Sequence, residues 1–220
     1  MRKKYRKGFT LVEVLTVVSV TACLAAIMLP ALSRARQVAR VAVVNAELRQ
    51  IALGLDMYMD DNNDKPPPTR TNCSMGWEDH QLPPELAAGG YLPEPDEGTG
   101  MTAGIKDRYN TENTYKYWSA VEQYQNNRFI PSRKAFLYIP ESFPDEPEGT
   151  PETDIRYDSL SASPVSWIIY SQGPEFDRFE MTKELNGPVA KRCWYKPDEN
   201  KGIITRLRLR DGRHTGSYRD

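Results

Sequence analysis

Apolar residues follow two regimes along this chain. Over residues 9–32 they are nearly continuous, and Glu13 is the only charged side chain among them. At about 1.5 Å per residue, a helix of that span is roughly 36 Å long, enough to cross a hydrocarbon core of about 30 Å. Beyond it Val41, Val44, Leu48, Ile51, Leu55 and Tyr58 recur at intervals of three and four, while Arg40, Glu47, Arg49 and Asp56 fall off that stripe. This is the pattern of an amphipathic helix; a coiled-coil seam is the other reading, over a pattern too short to require one. Together the two regimes predict one helix from Phe9 to about Met59, transmembrane in its first half and packed on a globular domain in its second. Pro30 removes one intrahelical hydrogen bond and is expected to kink or loosen it. Asp60, Asp61, Asn62, Asn63 and Asp64 then lead into Pro66, Pro67 and Pro68, which cannot continue a helix. The acidic cluster lacks the glycine and distal glutamate of a calcium-binding EF-hand loop, so it reads as a solvated helix end.

Past the break the pattern changes to short runs bounded by Pro, Gly, Asn or Asp. Leu82 to Leu86 reads as a short helix, followed by a turn at Gly90-Tyr91-Leu92-Pro93. Runs rich in aromatic and β-branched residues at 115–119, 135–139 and 165–171, with a weaker one at 193–195, read as antiparallel strands. Residues 203–209 alternate apolar and basic, which predicts a final half-exposed strand. The expected fold class is therefore α+β: a long N-terminal helix packed on a small antiparallel β-sheet with long loops. The expected divisions are 1–8, a basic leader; 9–32, the transmembrane helix; 33–64, its amphipathic continuation; and 65–220, a soluble domain.

Composition sharpens this picture. Among 220 residues, 29 Lys and Arg nearly balance 30 Asp and Glu, which argues against a basic nucleic-acid binder. Arg2, Lys3, Lys4, Arg6 and Lys7 concentrate basic charge before the apolar run, and without them the rest is mildly acidic. Those residues are expected to stay cytoplasmic and send the C-terminal part outward, although Arg34, Arg36 and Arg40 beyond the run weaken the asymmetry. Nearly all of the 17 prolines lie beyond Asp64, as a loop-rich domain requires. Cys23 reads as a small apolar residue of the span, while Cys73 and Cys193 form a candidate disulfide that their spacing does not prove.

A secretory signal would also begin with basic residues and an apolar stretch, but its stretch is shorter and carries no acidic residue near its start. The string Gly8-Phe9-Thr10-Leu11-Val12-Glu13 instead resembles the prepilin cleavage motif of type IV pilins and type II secretion pseudopilins. That resemblance implies cleavage by a membrane prepilin peptidase between Gly8 and Phe9 and N-methylation of Phe9. It makes Glu13 the fifth residue of the mature chain and places Pro30 where such helices are commonly interrupted. It further implies an inner-membrane assembly platform, copies of this chain and other pilin-like subunits as partners. The place would be the bacterial inner membrane, crossed once, with the C-terminal domain periplasmic. The physics of each element agrees. Glycine gives a peptidase an unhindered backbone, and a carboxylate inside lipid costs a few kcal/mol unless paired, so it signals function. A neighbouring subunit's Phe9 amine would be a fitting partner for Glu13; snorkelling to the cytoplasmic interface is the other reading.

Two further segments resemble pseudopilins: the leucine-proline and Gly-Tyr-Leu-Pro stretch ending near Pro95, and Tyr170-Ser171-Gln172-Gly173 at a strand end. The calcium loop that follows this strand end in major pseudopilins is replaced here by Pro174-Glu175-Phe176-Asp177. Asp177, Asp198 and Asp211 are conceivable calcium ligands but read better as ordinary turn residues; no cofactor is expected, and calcium stays open without a clear loop to hold it. Enzyme chemistry finds little footing. His80 and His214 are the only two histidines, neither in a metal-ligand pattern, and nucleophile-elbow and phosphate-loop motifs are missing. Arg206, Arg208, Arg210 and Arg213 read as a charged strand face rather than a nucleic-acid contact. The leading reading is a structural filament subunit, most of all a type II secretion pseudopilin, and not an enzyme. A type IV pilin for adhesion or DNA uptake, and a monomeric anchored binding or enzymatic ectodomain, remain open.

Overall fold

The computed structural model describes residues 9–71, 81–126, 128–145, 153–174 and 188–218, with only the backbone at 132–134. The architecture is α+β, with a long N-terminal apolar helix and a separate, largely antiparallel β-sheet region. Helix α1 spans Leu11–Asp61 and contains Pro30. The chain divides into two compact units, Met1–Arg40 and Val41–Asp220. In the first, every described side chain is exposed; burial begins at Val41.

The second unit is built on the predicted stripe. Val44, Leu48, Ile51 and Leu55 are fully buried, joined by Val41, Ala52 and Met59. Each such aliphatic side chain contributes roughly 1.5–3 kcal/mol by leaving water. They pack on Tyr115, Tyr117, Trp167, Ile169 and Ile204. Gly54 also faces inward, and a Cβ there would meet the Tyr91 carbonyl at 3.0 Å, so the chain around Tyr91 lies tightly on the helix. Strand β7, Val165–Ser171, is buried along its whole length because both of its faces are covered. Trp167 and Ile169 face the helix, whereas Ile168 and Tyr170 join a second core with Leu137, Ile139, Phe143, Leu207 and Leu209. That two-sided burial is why its sequence shows no alternation.

Strand β7 lies between β2, Lys116–Trp118, and β8, Ile204–Leu209, and β9, His214–Gly216, completes the sheet order β2-β7-β8-β9, all antiparallel. A three-stranded sheet joins β1, Thr69–Thr71, β3, Glu122–Gln125, and β4, Arg128–Lys134. Its β1–β3 pair is parallel, the exception to the expected antiparallel rule. A third pair joins β5, Leu137–Pro140, to β6, Asp154–Tyr157. The short helix α2 runs Pro84–Ala88 with proline at its start, where a missing N–H costs nothing.

Several expectations need adjustment. Residues 193–195 hold no strand: Lys191–Cys193 is a 3-10 turn, and Trp194 makes a single bridge to Ile203. Strand β8 is buried rather than half-exposed, because its arginines are covered by partners on other elements. The acidic end of α1 is likewise tied down. The Asp64 N–H donates to the Met59 carbonyl at 2.8 Å, and Asn63 and Asp64 adopt left-handed φ of 56° and 58°, which short polar side chains tolerate. Arg208 approaches Asp64 at 3.2 Å, offsetting negative charge at the helix end where the dipole disfavours it.

Candidate processing and assembly site

The first N–H groups of any helix lack intrahelical partners. At the start of α1 the Glu13 N–H donates to Thr10 Oγ1 at 3.2 Å, and Glu13 Oε2 accepts from the Thr10 N–H and hydroxyl, both at 2.8 Å. This is a reciprocal capping box: threonine at the N-cap, glutamate three residues on. It places an anionic group at the positive end of the helix dipole. Sequence reasoning treated Glu13 only as an intramembrane charge and missed this local role, although the Thr-x-x-Glu spacing ahead of an apolar run is its signature. Phe9, just before the cap, is 87% exposed. Gly8 lies outside the described residues.

From the cap onward the helix is prepared for an apolar environment. It is long and apolar enough to cross a membrane by length and composition. Ser19 donates its hydroxyl to the Leu15 carbonyl at 2.8 Å, Thr16 to Glu13 at 3.0 Å, and Thr21 to Val17 and Val18 at 2.9 Å. In lipid such groups must be satisfied within the segment, and these are. Leu11, Ile27, Met28 and Leu29 stand on an uncovered surface far larger than a soluble monomer ordinarily exposes. Pro30 sits within the helix and has no N–H to give the Ala26 carbonyl. Cys23 is exposed on the same span.

The C-terminal part of α1 is bolted to its unit by polar contacts around the apolar stripe. Glu47 accepts from Arg108 Nε at 2.9 and 3.1 Å, from the Arg108 terminal nitrogen, and from the Tyr115 hydroxyl at 2.5 Å. Burial, then the bond to Glu47, pushes the Tyr115 phenol far above its ordinary value, so it remains a donor. His214 opens β9: its Nε2 lies 3.1 Å from Asp56 and its ring meets Trp167 edge-on at 5.3 Å. The four arginines have internal partners. Arg206 stacks on Tyr218 at 3.8 Å, Arg208 reaches Asp56 at 3.3 Å, Arg210 donates to the Ser161 carbonyl, and Arg213 pairs with Asp211 at 2.7 Å. Arg206 and Arg208 are thus internal ties, whereas Arg210 and Arg213 make their contacts at the exposed surface.

At the Tyr170-Ser171-Gln172-Gly173 strand end, Ser171 Oγ donates to Asp107 at 2.6 Å, and the Tyr109 N–H donates to the same oxygen at 2.9 Å. Asp107 is fully buried; burial pushes its carboxyl up, against the opposing pull of these bonds and of Lys116. Nothing in the sequence flagged Asp107, because the contact joins residues 64 apart. Gly173 has φ of 72° and abuts the Gly202 carbonyl, where a Cβ would come within 2.0 Å, so only glycine fits. Asp198 is exposed in a turn, and Asp211 caps its own turn through the Arg213 N–H at 3.0 Å. Cys193 is half-buried. Cys73, His80 and Asp177 lie outside the described residues, so the candidate disulfide has one member there.

Against known proteins, residues 3–29 match the family model described as the prokaryotic N-terminal methylation motif. The chain is 37% identical over 62 residues to the type II secretion system core protein G of Pseudomonas aeruginosa, covering 28% of this chain and 44% of that protein. It is 46% identical over 57 residues to the type IV wide pilus major component PilA4 of Thermus thermophilus, covering 26% of this chain and 44% of that protein. The match therefore spans less than half the length of each relative. No solved structure matches the chain. The N-terminal segment accordingly carries a pilin-type methylation motif, in agreement with the Gly8 to Glu13 string.

Proposed function

We propose that this chain is a structural subunit of a pilus-like filament, assembled through its N-terminal helix in a type II secretion pseudopilus that supports protein export. The observation that carries the reading is a glutamate at the capped start of an uncovered apolar helix, inside a methylation motif. Cleavage by a prepilin peptidase between Gly8 and Phe9 frees an amine on Phe9, one residue ahead of the capping Thr10. The amine is methylated, and in the filament it pairs with Glu13 of a neighbouring copy, replacing the Thr10 contacts. A register that left this carboxylate alone in the apolar core would be strongly disfavoured. Head-to-tail contacts of this kind do not close, so they generate an open polymer. Ala22, Ala25 and Ala26 let the helices approach closely.

The subunit waits in the inner membrane with its C-terminal unit on the periplasmic side, and acts as a scaffold, not an enzyme. The Gly-Tyr-Leu-Pro and Tyr-Ser-x-Gly segments favour the pseudopilus. The likeness to a wide-pilus component favours a second reading, a type IV pilin used for adhesion or DNA uptake. In either filament, Glu13→Ala leaves membrane insertion and Gly8–Phe9 cleavage intact and abolishes assembly. Removing one member of a buried pair costs about 3–5 kcal/mol, enough to take sheared filaments below detection. Normal filament yield from Glu13→Ala would remove the pairing role.

A further inference from the structure

Asp107 is a buried titratable group to which the filament reading gives no task. It stands at the start of a loop closed on itself: its N–H donates to the Asn113 carbonyl at 3.0 Å, and Lys106 and Thr114 form a β-bridge. The loop leads into β2, yet the Asp107 carboxyl reaches out of it to the end of β7. Oδ1 accepts from Ser171 Oγ at 2.6 Å and from the Tyr109 N–H at 2.9 Å, so one oxygen joins the loop to the strand end. Ser171 Oγ in turn accepts from the Gly173 N–H at 3.4 Å, and Gly173 abuts Gly202. The residue is 0% exposed. Its other oxygen, Oδ2, is buried with no hydrogen-bond partner among the described residues.

An ionised carboxylate carries its charge on both oxygens, and a bare one buried away from water is costly. A proton on Oδ2 removes that charge and leaves Oδ1 as a carbonyl oxygen that accepts the same two bonds. The surrounding groups pull both ways. Lys116 on β2 and the Ser171, Tyr109 and Gln172 donors favour the anion, but burial outweighs them and holds the carboxyl above its ordinary value. Tyr115 on the same side is a neutral donor to Glu47 of α1, and Arg108 is committed to that same glutamate.

We propose that Asp107 is a proton-operated latch: protonated, it locks the loop of residues 106–114 onto the end of β7, and ionised, it loosens that lock. Because the carboxyl is held up, the folded chain keeps a proton that the unfolded chain has already released. The stability it contributes is therefore complete in acid, below the ordinary aspartate value, and is lost as pH rises through the folded value. The latch lies within the C-terminal unit and works whether or not the N-terminal helix assembles.

Denaturant unfolding of the full chain in detergent, followed by tryptophan fluorescence at a series of pH values, tests this against Asp107→Asn, which is neutral throughout. The ratio of wild-type to variant unfolding constants should be flat below about pH 4 and rise above it, by up to about tenfold per pH unit where Asp107 ionises. A ratio that stays constant across the series would overturn the latch. Infrared spectroscopy of the folded wild-type chain, with its aspartate carboxyls isotopically labelled, needs no variant. Ordinary aspartates are almost fully ionised by about pH 5. A labelled carboxylic-acid C=O band that persists above that pH is the expected result. Its disappearance together with the bulk of the aspartates would show Asp107 ionised beside Lys116 and overturn the proposal.

Discussion

Glu13 and Thr10 form a closed local pair at the start of α1. The threonine hydroxyl and backbone N–H hold the carboxylate at 2.8 Å, which offsets locally the cost of an apolar surrounding. In the proposed filament the carboxylate takes a partner of opposite charge, and the proposed amine sits beside the same cap. A charge inside an apolar run is legible in the sequence because apolar surroundings exclude carboxylates, and the cap is equally legible from the Thr-x-x-Glu spacing. Losing an N-cap threonine costs about 1 kcal/mol, about a fivefold change in a local opening equilibrium. Thr10→Ala should therefore speed hydrogen exchange at the Glu13 amide by about that factor in detergent-solubilised protein, while Thr10→Ser leaves it near wild type. Unchanged exchange in Thr10→Ala would show that the cap does not hold in the membrane-like environment.

At the scale of elements, α1 and β7 were readable and the polar ribbons were not. The stripe from Val41 to Tyr58 and the dense apolar run of β7 carry their periodicity or its absence openly, because burial against a core dictates each residue. Strands β3 and β6, Glu-Gln-Tyr-Gln and Asp-Ile-Arg-Tyr, hold mostly polar residues and are fixed by backbone pairing, which leaves little trace in composition. Strand β8 misled for a different reason: alternation of apolar and basic residues implies a solvated face, but Asp56 and Asp64 cover Arg208 from a distant part of the chain and Tyr218, just past β9, covers Arg206. Asp107 and Ser171 belong with these, a contact whose two members give no sign of each other in sequence. The docking of α1 on its sheet depends most on fully buried residues such as Leu55. Leu55→Ala should lower the unfolding free energy of the second unit by about 2–5 kcal/mol, read from denaturant melts followed by tryptophan fluorescence. A loss below about 1 kcal/mol would mean that the stripe is not the principal contact of the helix.

The whole molecule comprises an N-terminal helical unit exposed through Arg40 and a folded α+β unit from Val41 onward. The two relatives resemble this chain over only 62 and 57 of its residues. The filament reading therefore depends on what happens at residues 8 and 9. Intact-mass measurement on the protein purified from a host with prepilin peptidase tests this most directly. The prediction is a chain that begins at Phe9 and is heavier by one CH2, the net gain of a single N-methylation. A chain still beginning at Met1, or one cut beyond Pro30, would contradict it.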